Sequence, residues 1–255
     1  MSKHIQLGNF NDLAKVYKKS RPGYSKKIIK LLKALLHLDK KKINSLDLGC
    51  GTGLFTKEIA KISNHVIGVE LSKEMIENAF KLKNVEYVNS SANSVRLNQK
   101  FDIISAASCF HWFNNYKITN LVNSNLNIRG LFLICYNSRK ITKIPFLKKI
   151  ENKITILSKK FKSRISSGQS SFVEKKISDF SKKTKLSGPF YFEFTHFEKF
   201  SKKRYITAWE SSNEFRNKLG YKNYKTFVDW LELNFPKVGI NAEYVNKCWL
   251  FQKIK

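Results

Sequence analysis

The feature that most constrains this chain is a glycine-rich turn between two apolar runs. Residues 43–48 read as a short strand, and Gly49, Gly51 and Gly53 follow it at alternate positions. Residues 54–62 then continue with helical spacing. Alternate glycines let the backbone turn sharply and let a ligand lie against the main chain. The next run, 65–70, is rich in Val and Ile and ends on an acid, Glu70. The spacing is GxGxG, not the GxGxxG of a dinucleotide site, and the turn lacks the Lys-Ser/Thr pair of a phosphate loop. The ligand therefore need not carry a phosphate. An acid at the end of the second strand stands where ribose hydroxyls are usually gripped. A carboxylate accepting from such hydroxyls makes strong, oriented hydrogen bonds.

The rest of the chain repeats the alternation. Strands are expected over 85–88, 101–107 and 131–136, and helices over 25–38 and 72–82 with Ser25 and Ser72 as N-caps. Alternating strands and helices argue for a doubly wound, mostly parallel sheet. The pattern changes near Ser138. Residues 158–187 are rich in Ser and Lys and poor in apolar anchors, and read as a mobile cap segment or loosely packed helices. Strands over 190–200 and 244–254, with a helix over 224–233 between them, close the pattern. The expected organisation is a single α/β domain: N-terminal cap helices over 1–40, a ligand-binding core over 41–137, a cap insertion over 138–187, and closing strands and helices over 188–255. A chain of 255 residues can bury such a core without metals or disulfides.

Composition narrows the partners. The net charge is +29, from 48 Lys and Arg against 19 Asp and Glu. That balance invites a nucleic-acid reading. However, the positive residues are nearly all lysines spread along the chain, while arginine, the phosphate-clamping residue, is sparse. The joint excess of Asn, Ile and Lys is what an AT-rich coding sequence would produce. Cys50, Cys109, Cys135 and Cys248 form no CxxC pair, so they read as reduced thiols rather than a metal site. No apolar run reaches 18 residues, and the first ten residues do not resemble a secretory signal. A cytoplasmic protein without a membrane partner, monomeric or weakly dimeric, is the expectation.

The segment 46–53 resembles the first motif of class I S-adenosylmethionine-dependent methyltransferases, and 66–70 resembles their second. Ser90-Ser91-Ala92-Asn93 is similar to the loop that borders the adenine, with Asn93 where relatives commonly carry an acid. Two further stretches resemble a narrower group, the type 11 methyltransferases similar to trans-aconitate methyltransferase. They are the Tyr17-x-x-x-Arg21-Pro22-x-Tyr24 element and Phe110-His111-Trp112-Phe113 after the fourth strand, with Tyr136-Asn137-Ser138-Arg139 also fitting. The resemblance implies a Rossmann-like seven-stranded sheet, mostly parallel with an antiparallel last strand, and a cap between strands five and six. It implies S-adenosyl-L-methionine as cofactor, held by Asp47, Gly49, Cys50, Gly51, Gly53, Glu70, Leu71, Ala92, Asn93 and Ser108.

The expected activity is methyl transfer to a small molecule, with a carboxylic acid as a candidate acceptor. His111, Tyr17 and Arg21 are the candidate catalytic residues. If the acceptor is a hydroxyl or amine, His111 is the best available base. Arg21, Arg139 and nearby lysines could bind an acidic acceptor, and Phe10, Phe110, Trp112 and Trp209 could close an apolar lid. The alternative is an RNA methyltransferase using the basic surface, although the Asn-Pro-Pro-Tyr-type motif of many base methylators is absent.

Overall fold

A computed structural model describes residues 14–36, 43–141, 144–157 and 171–255, except the side chains of 213 and 214. Seven strands form one sheet: β1 (Asn44–Leu48), β2 (His65–Glu70), β3 (Val85–Asn89), β4 (Phe101–Ala107), β5 (Leu126–Arg139), β6 (Ser187–Phe200) and β7 (Ile240–Gln252). Their order is β3-β2-β1-β4-β5-β7-β6. The first five run parallel, and β7 is antiparallel to both β5 and β6. This is the expected Rossmann-like sheet. The chain moves outward from β1 to β2 and β3, then returns to the other side of β1 with β4. That reversal opens a crevice beyond the carboxyl end of β1, where open α/β sheets bind ligands.

The helices form where caps and apolar spacing coincide. Ser25 accepts from the Lys27 amide at 3.4 Å and starts α2 (Lys26–Leu35), as its position predicts. Ser72 accepts from the Met75 amide at 3.2 Å and starts α4 (Lys73–Glu77). With α3 (Thr56–Ile59), α2 covers one face of the sheet, packing Ile28, Leu32, Phe55 and Ile59 on Ile103, Leu133, Cys135 and Cys248. The other face carries α5 (Asn115–Asn125) over Leu46, Ile104, Phe132 and Ile134.

The region beyond β5 differs from its expectation. Of residues 158–187, 158–170 lie outside the described residues, but Ser171–Ser181 form a helix, α7. Its few apolar residues fall at helical spacing, so Val173, Ile177 and Phe180 all reach the main core. Three anchors on one stripe suffice to bury a helix of three turns, and low overall apolar content concealed that pattern. A second cluster joins α6 (Pro145–Leu157) to helices inserted between β6 and β7: α8 (Lys202–Glu210), α9 (Asn213–Leu219) and α10 (Tyr221–Asn234). The helical layer at this end thus draws on two connections, not only the one between strands five and six. Helix α1 (Ala14–Ser20) packs against α8 and brings the N-terminal segment to the crevice. Among the described residues, no helix is long and apolar enough to cross a membrane.

Candidate active site

A cleft of about 730 Å³ opens at the carboxyl ends of β1, β2 and β4. Its floor is the glycine turn. Gly49, Gly51 and Gly53 have φ of 62°, 56° and 79°, in the left-handed region that favours glycine. At Gly49 a Cβ would stand 2.9 Å from the Cys109 side chain, whereas at Gly51 it would meet nothing within 4 Å. Gly49 therefore lets the turn pack on β4, and Gly51 leaves the open face of the turn bare.

Glu70 stands at one wall. Its Oε2 accepts from the Gly51 amide at 2.9 Å, and its Oε1 accepts from the Ser72 amide at 2.9 Å. Asn89 donates to the carbonyls of Glu70 and Leu71 and fixes that turn. Each carboxylate oxygen keeps a lone pair for a ligand. Leu71, 72% exposed, and buried Ala92 line the same end. Asn93 also lines it, but its Oδ1 already accepts from the Asn114 amide at 2.8 Å. A contact from Asn93 to an amino group would have to use the second lone pair of that oxygen.

Asp47 is buried, and its two oxygens accept from Thr56 Oγ1 at 2.6 Å and Ser105 Oγ at 2.7 Å. Burial pushes its pKa up to about 6, against those two hydrogen bonds, with Glu70 adding to the rise. It ties β1 to α3 and β4 beneath the turn. Burial likewise pushes the Cys50 and Cys109 thiols well above their ordinary range, so they line the floor as inert groups.

At the opposite end the cleft is lined by Tyr17, Tyr24, Ser108 and Trp112. Ser108 has φ of 59°, and its amide donates to the Cys135 carbonyl at 2.7 Å. Its hydroxyl lies 3.0 Å from the Tyr24 hydroxyl. The loop bearing Tyr24 is clamped from the far side of the sheet: Asn137 Nδ2 donates to the Gly23 carbonyl, the Gly23 amide donates to Glu198, and the Ser25 amide donates to Asn246. The pairing of Tyr24 with Ser108 was not visible in the sequence, where the two are 84 positions apart. Nor was the role of Tyr136, whose hydroxyl lies 3.0 Å from both the backbone nitrogen and Nδ1 of His111. His111 lies behind Trp112, their rings 4.6 Å apart, and is not among the residues that line the cleft.

Several candidate acceptor contacts are placed elsewhere. Arg139 is sequestered in the second cluster, paired with Glu151 at 3.0 Å and bonded to Tyr205. Trp209 is buried in that cluster and Phe110 in the main core, because each meets a ring of neighbouring aromatics. Neither can close a lid. Phe10 lies outside the described residues. Arg21 donates to the Ser211 carbonyl at 3.1 Å and lies 4.8 Å over the Tyr17 ring, behind the cleft wall rather than in it.

A family profile described as a methyltransferase domain matches residues 46–127, the segment that forms this crevice. Over that segment the chain is similar to the class I methyltransferases. A methyltransferase-like protein of Schizosaccharomyces pombe is 30% identical over 153 residues, 59% of each chain. A malonyl-[acyl-carrier protein] O-methyltransferase of Acetivibrio thermocellus is 34% identical over 96 residues, 35% of this chain and 34% of that one. The chain thus spans between about a third and three fifths of the length of these curated relatives. A type II methyltransferase structure from Anaeromyxobacter dehalogenans superposes with a TM-score of 0.69 over 92% of this chain and 98% of its own. At 14% identity, that likeness speaks for the fold. The methyltransferase family takes S-adenosyl-L-methionine as its methyl donor. The residues here fit it: a fixed carboxylate facing a bare glycine turn, with an apolar side chain beside it.

Proposed function

We propose that this protein transfers a methyl group from S-adenosylmethionine to an oxygen of a small carboxylic acid. The observation that carries the proposal is the division of the cleft. One end offers a ribose-gripping carboxylate on a glycine turn, and the other offers neutral hydrogen-bond donors beside an aromatic wall. When bound, the cofactor supplies a sulfonium methyl that is already strongly activated. Glu70 would hold its ribose, the turn from Gly49 to Gly53 would receive its main body, and Leu71, Ala92 and Asn93 would border its adenine. The protein's part is then alignment and exclusion of water.

The acceptor end supports the choice of a carboxylate. Among the described lining residues there, Tyr17, Tyr24, Ser108 and Trp112 all carry an O–H or N–H that can donate. Burial pushes the Tyr24 phenol well above its ordinary range, which keeps it protonated and unsuited to removing a proton. An acceptor that needs no deprotonation suits such a site, and a carboxylate is nucleophilic as it stands. Relatives named for O-methylation of a malonyl thioester point the same way.

The test is a methyl-release assay across small carboxylic acids, phenols, amines and bulk RNA. The expected result is a base-labile methyl ester from a carboxylic acid. Transfer to an amine or to RNA, with none to any acid, would overturn the acceptor class. Failure to bind the methyl donor by calorimetry would overturn the reading of the whole cleft.

A further inference from the structure

Helix α5 and the loop that precedes β4 are tied together at two places. Asn93 Oδ1 accepts from the Asn114 amide at 2.8 Å, at the start of α5. At the other end of the helix, Asn125 Nδ2 donates to the carbonyls of Leu97 and Gln99 at 2.9 and 2.7 Å. Between the two ties, loop and helix stand apart and leave a groove of about 440 Å³. Helix α5 has 11 residues, so the groove is at most about 16 Å long. Its lining is one-sided in charge. Arg96 from the loop and Lys117 from α5 line it, and no acid does. Both are exposed, and among the described residues neither side chain has a hydrogen bond or an ion pair. Asn120 and Ser124 share the helix face of Lys117, and their side chains are likewise without a hydrogen-bond partner among the described residues. The floor is apolar: Val95, Leu97 and Leu121 are partly buried and pack on the main core.

We infer that this groove is a second ligand site, separate from the cleft, and that it takes a small phosphate monoester with a flat, partly apolar body, as a nucleotide has. Such a phosphate carries about two negative charges near pH 7, which matches one cation from each wall. The fork of Arg96 can take two of its oxygens, and the Lys117 ammonium a third. The floor offers apolar contact to a ring, and Asn120 and Ser124 can bond to the polar groups on it. The ties bound the groove at both ends, which suits one small molecule rather than a long polyanionic strand. The general excess of lysine would attract any anion weakly from all sides. What sets the groove apart is two unpaired cations on opposite walls over an apolar floor. The groove shares only Ala92 and Asn93 with the cleft, so the inference stands apart from the methyl-transfer reading.

The test uses uridine 5′-monophosphate as probe, at physiological salt and with excess S-adenosylhomocysteine, so that the cleft is not the site that answers. Calorimetry is expected to show one site, and backbone amide signals should shift over 94–98 and 117–125 rather than around Gly51 and Glu70. Arg96→Gln combined with Lys117→Gln should weaken the probe at least about tenfold, the scale of losing a hydrogen bond to a charged group. Neither side chain is bonded to the rest of the protein, so the fold should persist. Lys222→Gln combined with Lys225→Gln removes the same charge from exposed positions on α10, and should leave affinity within about twofold, because those lysines act only through screened charge. Inorganic phosphate has no ring to cover the floor and should bind about tenfold more weakly than the nucleotide. No binding, shifts confined to the cleft, or equal weakening by the two double substitutions would overturn the site. Inorganic phosphate bound as tightly as the nucleotide would overturn the ligand class.

Discussion

The two ends of the cleft are built differently. The cofactor end comes from one stretch of chain, Leu46 to Asn93, in which each strand hands its ligand-facing group to the turn that follows it. The acceptor end is collected from α1, the loop after it and the turn after β4, and is clamped from behind by β5, β6 and β7. On the proposed reading, the backbone would do the binding in the first, so glycines and one fixed acid would suffice. In the second, side chains would do it, and Tyr24 and Ser108 meet from 84 positions apart. The difference shows in what each end can tolerate, and substitutions can break or sharpen it.

The largest effect is expected within the glycine turn. Gly49→Ala adds a Cβ 2.9 Å from Cys109 at a left-handed φ of 62°. Strain of about 1–2 kcal/mol and overpacking of about 1–3 kcal/mol should lower stability by roughly 2–5 kcal/mol in urea unfolding. Gly51→Ala, with nothing within 4 Å, should show the strain alone. Equal losses would mean that the turn does not pack on β4 as described. Next, Arg139→Ala should cost about 3 kcal/mol of stability, because it strips the partner from half-buried Glu151, while cofactor affinity stays unchanged. A fall in acceptor affinity without loss of stability would return Arg139 to the site.

Asp47 gives a pH signature. Its native pKa of about 6 lies above the ordinary 3.8, so the native state holds this proton more tightly than the unfolded chain. Its contribution therefore makes the protein more stable as pH falls from about 6 towards 4, by roughly 2–3 kcal/mol. Above pH 6 both states are ionised and the burial cost is constant. Asp47→Asn should lack this slope, so that the stability difference between parent and variant changes over that pH range. A parallel pair of stability–pH curves would show that Asp47 is not buried against Thr56 and Ser105 in solution. The smallest effect is on binding: Glu70→Ala should weaken the methyl donor by about 1.5–3 kcal/mol, the scale of hydrogen bonds to a charged group. The fold should persist, and calorimetry showing unaltered affinity would remove Glu70 as the ribose grip.

Much of the cofactor end was legible because it is local. Ser25 and Ser72 cap the helices their positions announced, and the turn and Glu70 stand where strand and helix spacing put them. Asp47 was legible as part of the motif, but its hydroxyl partners were not, since Ser105 lies 58 positions away. Strand β5 runs over Leu126–Arg139, beyond its expected 131–136 at both ends. Arg129 takes a φ of 66° there, while its amide donates to the Lys253 carbonyl, a contact from the end of the chain.

By itself, the sequence determined the strand–turn–helix order, the glycine turn and the acid that faces it. These depend on backbone conformation and on neighbours a few residues apart, which the order of residue types encodes directly. Tertiary structure decided which polar groups are spent on the fold and which remain to act. Arg139 looked like an anion site until Glu151 and Tyr205 took it, and the meeting of the Tyr136 hydroxyl with His111 crosses 25 positions of sequence. A side chain's chemistry is fixed by its residue type, but its remaining lone pairs and protons depend on partners that only folding brings within 3 Å.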